Sequence, residues 1–238
     1  MSTRSVTAAR RGSVGLTLLL LTILSGNVAS NALEEILVSA TLRPAHGEQR
    51  SITVFDQAMI DARSAQHLED LLSAAPNVNT ASGASRGRFI QIRGVGERSQ
   101  FVEPVNASVA MLLDGIDLTG LGAAATTWDI QQIEILRGPQ GTLLGANALA
   151  GLISLNSTAA DSSDLKFAIG AENNGGSRLA AAGGGELTDN ISGRVAIEQY
   201  RSDGAIKNTY LNRRDTQSKD ELTLRGGLAW QGANQRVE

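Results

Sequence analysis

From residue 165 onward the chain alternates. Leu165, Phe167 and Ile169 stand against Lys166, Ala168 and Gly170, and Ile191, Val195 and Ile197 against Ser192, Arg194 and Glu198. Leu222, Leu224, Leu228 and Trp230 then face away from Glu221, Thr223, Arg225 and Gln231. A period of two marks strands with one apolar and one polar face. Runs of about ten residues suit strands in the wall of a water-filled transmembrane barrel. The turn residues between them, Asn173-Asn174-Gly175-Gly176 and Thr188-Asp189-Asn190, agree with that. A half-buried soluble antiparallel sheet carries the same alternation. Tyr200 and Trp230 lie near strand ends, where aromatic residues settle at a membrane interface.

Between residues 51 and 157 the runs are shorter and mixed. Strands are predicted at 51–55, 89–93, 109–113, 133–136 and 152–155, and a short helix at 57–63. Leu68, Leu71 and Leu72 give a second helix an apolar i, i+3, i+4 face, which Pro76 and Asn77 end. Glycine-rich turns separate these pieces, so a small α+β domain with one modest sheet of roughly four or five strands is expected.

The front of the chain has a third texture. Arg4, Arg10 and Arg11 precede an apolar stretch over 14–24, and small residues follow. As a helix that stretch rises only about 16 Å, roughly half a bilayer core, so it predicts a secretory signal over 1–32, cut after Ser30 or Ala32.

Composition narrows the chemistry. A formal charge of -3 gives no pull toward nucleic acid, and with no cysteine there is neither a disulfide framework nor a thiolate metal site. His46 and His67 are the whole imidazole supply; no metal site and no cofactor are expected. Gly83-Ala84-Ser85-Arg86-Gly87 fits the Gly-x-Ser-x-Gly spacing of serine hydrolases. A nucleophile elbow opens a helix and is served by a later histidine, whereas here a strand follows and both histidines precede Ser85. No phosphate loop or His-Glu-x2-His pair is present either. Catalysis is not expected.

Several segments together resemble the TonB-dependent receptor family. The most specific is Arg137-Gly138-Pro139-Gln140-Gly141-Thr142-Leu143-Leu144-Gly145, continuing to Gly151 and preceded by Ile133-Glu134-Ile135-Leu136, which is similar to that family's plug signature. Leu68-Glu69-Asp70-Leu71-Leu72, Pro76-Asn77-Val78, Ile90-Gln91-Ile92-Arg93-Gly94 and Leu113-Asp114-Gly115-Ile116 agree in order and spacing. The glycines of the signature suit tight turns or close backbone approach. Leu144 stands where the family commonly has tyrosine, and Ser154-Leu155-Asn156 where a more β-branched strand is usual.

The resemblance implies a division into a signal peptide (1–32), a TonB box and linker (33–50), an α+β plug domain (51–158) and the first antiparallel transmembrane strands of an incomplete β-barrel (159–238). Glu34, Glu35, Ile36, Leu37, Val38, Ser39 and Ala40 resemble the TonB box. An extended run beside a polar linker can add as a strand to the sheet of a TonB-type energy-coupling protein. Arg93 and Arg137 match arginines that pair plug with barrel wall in the family. Their glutamates are expected in later strands, so within this chain Glu97, Glu134 or solvent must substitute. The loops 80–88 and 94–105 correspond to the outward apex, with Arg86, Arg88, Glu97, Arg98, Gln100 and Phe101 as candidate contacts to a small-molecule ligand.

The implied function is uptake at the outer membrane of a scarce ligand of the ferric siderophore, vitamin or carbohydrate class, with outer-membrane lipid around the wall and no nucleic acid. Length bears on this. A 22-stranded plugged barrel needs roughly 220 residues of strand, and the chain beyond Asp164 holds about four strands, too few to close a lumen. The chain is therefore expected to be a fragment of a longer receptor. The alternative is a stand-alone periplasmic plug-like adaptor that binds without transporting.

Overall fold

The computed structural model of the chain describes residues 51–81, 86–87, 89–97, 107–121, 125–141, 147–173, 175–204, 206–232 and 236–237. All of them belong to one unit, residues 36–238. The proposed signal peptide and the 34–40 box lie outside the described residues.

The first half is an α+β layer. β1 (Ser51–Asp56) leads into α1 (Gln57–Ala62), and α2 (Leu68–Leu72) follows. β2 (Val78–Ala81), β3 (Phe89–Ile92) and β4 (Val95–Gly96) form a three-stranded sheet. β5 (Val109–Leu113), β6 (Ile116–Asp117), β7 (Ile130–Arg137) and β8 (Gly151–Ser157) join β1 in a five-stranded sheet of order β1-β7-β8-β5-β6. Only β5 and β8 run parallel in it.

The predicted single sheet is thus two sheets, because the Phe89–Ile92 strand pairs with β2 and β4 instead of joining the larger one. The turn after it explains the local geometry. Arg93 (φ 55) and Gly94 (φ 79) are both left-handed, as a two-residue type I′ hairpin requires. Asp114 (φ 50) and Gly115 (φ 80) repeat the device between β5 and β6.

Both helices are capped locally. Asp56 accepts from Met59 N–H at 2.8 Å. Asp70 accepts from His67 N–H at 3.0 Å while His67 Nδ1 accepts from Glu69 N–H at 3.3 Å, a reciprocal capping box. Leu68, Leu71 and Leu72 then bury against Phe55, Ile60, Ile92, Ile133, Ile135 and Ile153. Ile52, Ala110, Leu112, Leu136 and Leu152 form a smaller cluster. Gly151 is where two backbones meet: a Cβ there would lie 2.4 Å from Leu136 O and 2.6 Å from Ile92 Cδ1.

The second half is a strand wall: β9 (Leu165–Ala171), β10 (Ser177–Thr188), β11 (Ile191–Ser202), a small hairpin of β12 (Ile206–Asn208) and β13 (Arg213–Thr216), then β14 (Lys219–Gln231) and β15 (Arg236–Val237). Its order is β15-β14-β11-β10-β9, antiparallel throughout. One face is apolar and exposed, with Phe167 at 74%, Ile169 at 88% and Leu224 at 72%. On the other, Ala180, Ala182, Arg194, Ala196, Glu198 and Ala229 are buried. The wall does not close on itself among the described residues. One expectation fails here: Tyr200 points inward, 8% exposed, and its hydroxyl donates to Glu172 at 3.2 Å, so it is no interfacial aromatic. Its even-numbered register with Arg194 and Glu198 sets that direction.

Candidate functional site

The polar face of the wall carries the α+β layer, and the contact is built from charges. Asp129 sits in the turn before β7 with φ 58, a conformation that aspartate tolerates better than most residues. That turn is tied down beforehand: Thr127 Oγ1 donates to Ala65 O at 2.6 Å, and Leu68 N–H to Ala125 O at 2.9 Å. From there Asp129 accepts a bidentate pair from Arg194, Nε to Oδ2 and Nη2 to Oδ1, both at 2.8 Å. Each side chain is 3% exposed. Arg194 Nη1 also reaches Asp164 Oδ1 at 3.0 Å and Ser162 O at 3.1 Å, and Lys166 Nζ lies 3.4 Å from Asp129 Oδ1.

Glycine makes room for this arginine. Gly184 and Gly227 flank Arg194 on the two neighbouring strands, and a Cβ at Gly184 would come within 2.8 Å of Arg194 Cβ. Bedded there, the long side chain can lie across the wall and reach the docked layer.

A second cluster lies at the other end of the wall. Arg86 Nε and Nη2 donate to Glu221 at 2.8 and 2.7 Å, and Nη1 to Glu69 at 2.6 Å. Gly87 N–H also donates to Glu69 (2.8 Å), Lys219 Nζ lies 3.5 Å from it, and the Arg86 guanidinium stands 5.8 Å above the Tyr200 ring. Burial works to raise the Glu69 carboxyl, but the Arg86 and Gly87 hydrogen bonds and nearby positive charge outweigh it and hold it at about 2. Burial works to lower the pKa of Arg86, but its hydrogen bonds to Glu221 and Glu69 and their charges outweigh that and push it up.

Between the clusters, Trp128 Nε1 donates to Ala181 O at 3.2 Å, and its ring lies 5.2 Å below Arg178. Arg178 in turn pairs with Glu198 at 2.6 Å. Arg225 donates to Trp128 O and, at 3.3 and 3.2 Å, to Thr126 O and Oγ1. Gln66 Nε2 reaches Glu172 at 2.7 Å. A cavity of about 570 Å³ opens beside this seam between Asp114, Ser157, Arg225 and Gly226.

Of the residues singled out in sequence, Arg86 lies in the second cluster, 9% exposed and with its donors taken by carboxylates. Glu97 accepts from Ser108 N–H at 2.9 Å. Arg88, Arg98, Gln100 and Phe101 fall outside the described residues, as does Ser85. Arg137 donates to Ser51 Oγ (2.8 Å), Thr53 Oγ1 (2.6 Å) and Pro76 O (3.3 Å), so hydroxyls and a carbonyl hold it. Burial and the charge of Arg93 lower its pKa. Arg93 itself is exposed at the hairpin tip. Asp129, Glu69 and the pairing roles of Arg194 and Glu221 were not singled out in sequence. For Arg194 and Glu221 the one signal is a charged residue on the small, polar side of the alternation; Asp129 and Glu69 lie in the plug, outside it.

The TonB-dependent Receptor Plug Domain model matches residues 45–152. The vitamin B12 transporter BtuB of Vibrio vulnificus (strain YJ016) is 26% identical over 187 residues, covering 75% of this chain and 29% of that protein. The pesticin receptor of Yersinia pestis is 29% identical over 129 residues, covering 54% of this chain and 19% of the receptor. Among solved structures, the ferric yersiniabactin uptake receptor FyuA from Yersinia pestis superposes with a TM-score of 0.67 at 24% identity, over 78% of this chain and 29% of that one. The ferric-catecholate import receptor Fiu from E. coli K12, in its open form, gives 0.61 at 21% identity, over 79% and 26%. The chain therefore spans less than a third of the length of these proteins, and a match over 78% of it extends past the plug into the wall. Plug signature, two-layer fold and antiparallel wall coincide with these matches, and residues 45–152 form a TonB-dependent receptor plug domain.

Proposed function

We propose that the chain serves at the outer membrane in TonB-dependent uptake of a scarce ligand of the ferric siderophore, vitamin or carbohydrate class. The observation that carries this reading is the two-faced wall: Phe167, Ile169, Leu222 and Leu224 turn outward, while Arg194, Glu198 and Arg225 turn in toward a docked plug. An apolar outer face suits hydrocarbon and a polar inner face suits a lumen. The matched proteins named as a vitamin B12 transporter and a ferric yersiniabactin uptake receptor support the ligand class.

In this reading residues 1–32 export the chain, and Glu34 to Ala40 offer a strand to a TonB-type protein. Arg93 and Arg137 pair with glutamates of further wall strands. The apex loops bring Arg88, Glu97, Arg98, Gln100 and Phe101 to the ligand, with Arg86 behind them. The test is titration of the detergent-folded chain with a TonB C-terminal domain. Ile36→Pro and Val38→Pro each remove a backbone donor and should weaken binding about tenfold. Unchanged binding by both variants overturns the coupling role. A chain that stays monomeric in buffer without detergent overturns the membrane reading and favours a periplasmic adaptor.

A further inference from the structure

Basic residues stand side by side at two places in the sequence, Arg10-Arg11 and Arg213-Arg214. The second pair opens β13, in the small hairpin that leaves the wall after β11 and rejoins it at β14. β11 runs away from the tight Asp189-Asn190 turn, so the hairpin stands at the other end of the wall, the end that carries Arg86 and Glu221.

Little holds this hairpin. Its ladder has two rungs, Ile206 with Thr216 and Asn208 with Arg213, and the register shifts between them. None of residues 206–213 is buried, and Tyr210 is 94% exposed. An isolated two-stranded ribbon without a buried face is at best marginally stable in water. β13 is also bracketed by left-handed residues, Asn212 at φ 49 and Gln217 at φ 65. Glutamine tolerates that region poorly, so drawing the segment out straight relieves a cost.

Other basic residues of the wall are set differently. Arg178, Arg194, Arg201 and Arg225 sit in long ladders, which for β11 and β14 run from Ile191 with Trp230 to Ser202 with Lys219. In the plug, Arg63 and Arg93 stand singly in the sequence. A paired basic sequence and a weakly held backbone coincide at Arg213-Arg214.

We propose that Arg213-Arg214 is a processing site for an endopeptidase that reads paired basic residues. Such an enzyme takes its substrate as an extended strand and meets guanidinium groups with carboxylates. The hairpin supplies that strand without opening any pair of the wall, because Ser202 and Lys219 close the β11–β14 ladder beneath it. Hydrolysis adds one water across the peptide bond at the pair: the C–N bond breaks, hydroxyl goes to the acyl carbon and a proton to the departing nitrogen. The nicked chain keeps its wall and its Arg86–Glu221 and Asp129–Arg194 contacts. The site rests on the hairpin alone and is independent of ligand uptake.

The test treats the detergent-folded chain with an endopeptidase specific for paired basic residues, beside the urea-unfolded chain as reference. Mass spectrometry of the products separates this cut from one at Arg10-Arg11. The folded chain should be cut at Arg213-Arg214 within about a hundredfold of the rate of the unfolded chain, because cleavage follows the population of the opened hairpin. The two pieces should elute as one species until denatured. Arg213→Gln combined with Arg214→Gln should abolish the cut, and Arg213→Lys combined with Arg214→Lys should keep it. A slower cut than that, or none, at this pair in the folded chain overturns the proposal. Pieces that separate without denaturant overturn it too, since the wall then depends on the hairpin. Amide hydrogen exchange reads the same weakness without any variant: residues 206–216 should exchange at least about tenfold faster than β11, and equal protection overturns the site.

Discussion

Glu69 shows how one carboxylate organises a junction. It caps nothing, yet it gathers Arg86, Gly87 N–H and Lys219 from two distant stretches of chain. Its pKa is held at about 2 in the fold and is about 4.3 in an unfolded chain. A depressed folded value means stabilisation that is present above the unfolded pKa and is lost as pH falls toward 2. Urea midpoints measured from pH 5 downward should therefore drop through that window, and Glu69→Gln should flatten the drop. Gly151 offers a second check. Its missing Cβ leaves 2.4 Å to Leu136 O, so Gly151→Ala should cost about 1 to 3 kcal/mol in equilibrium unfolding. The glycine was legible in the plug signature, and so was the inward register of Arg194. Its partner was not, because Asp129 lies 65 positions away, and Arg86 meets Glu221 across 135. Local pattern gives the direction of a side chain; what waits there is decided by packing.

At the level of elements, legibility followed contrast. β9, β11 and β14 alternate Leu, Ile or Phe with charged or small residues, and their faces are assignable from the residues alone. β10 reads Ser-Arg-Leu-Ala-Ala-Ala-Gly-Gly-Gly-Glu-Leu-Thr, and its alanine and glycine positions differ too little to reveal a period. The fold uses that blandness. Ala180, Ala182 and Gly184 keep the inner surface low where Arg194 and Trp128 cross it. In the plug both helices and β1, β3, β5, β7 and β8 are legible in the sequence, whereas the short β2, β4 and β6, and with them the grouping of β3 with β2 and β4, are not, because strand pairing is non-local. The outward face makes a direct prediction. Leu224, 72% exposed and central in β14, should cost about 2 to 4 kcal/mol on replacement by lysine when the chain is unfolded from lipid vesicles. In detergent-free buffer the same change should raise solubility.

At the scale of the whole molecule, this is a plug seated on a few strands of wall. Relatives of which the chain spans 29% or less have far more chain with which to surround a plug. Among the described residues the wall ends on one side at β9, and on the other at β14, of which only Trp230 and Gln231 have a further partner, in β15. Along those margins a row of backbone N–H and C=O groups points sideways with no strand beside it among the described residues. Such a margin is a template for any extended chain, and the nearest supply is another copy of the same wall. Handled alone, the protein should therefore stick to itself edge to edge, with a sedimentation coefficient that climbs with concentration. Lysines placed at Ala168 and Gly170 of β9 should hold the coefficient down. The geometry that leaves a barrel open is also the geometry that begins a fibril, and keeping the two apart is a matter of what reaches that edge first.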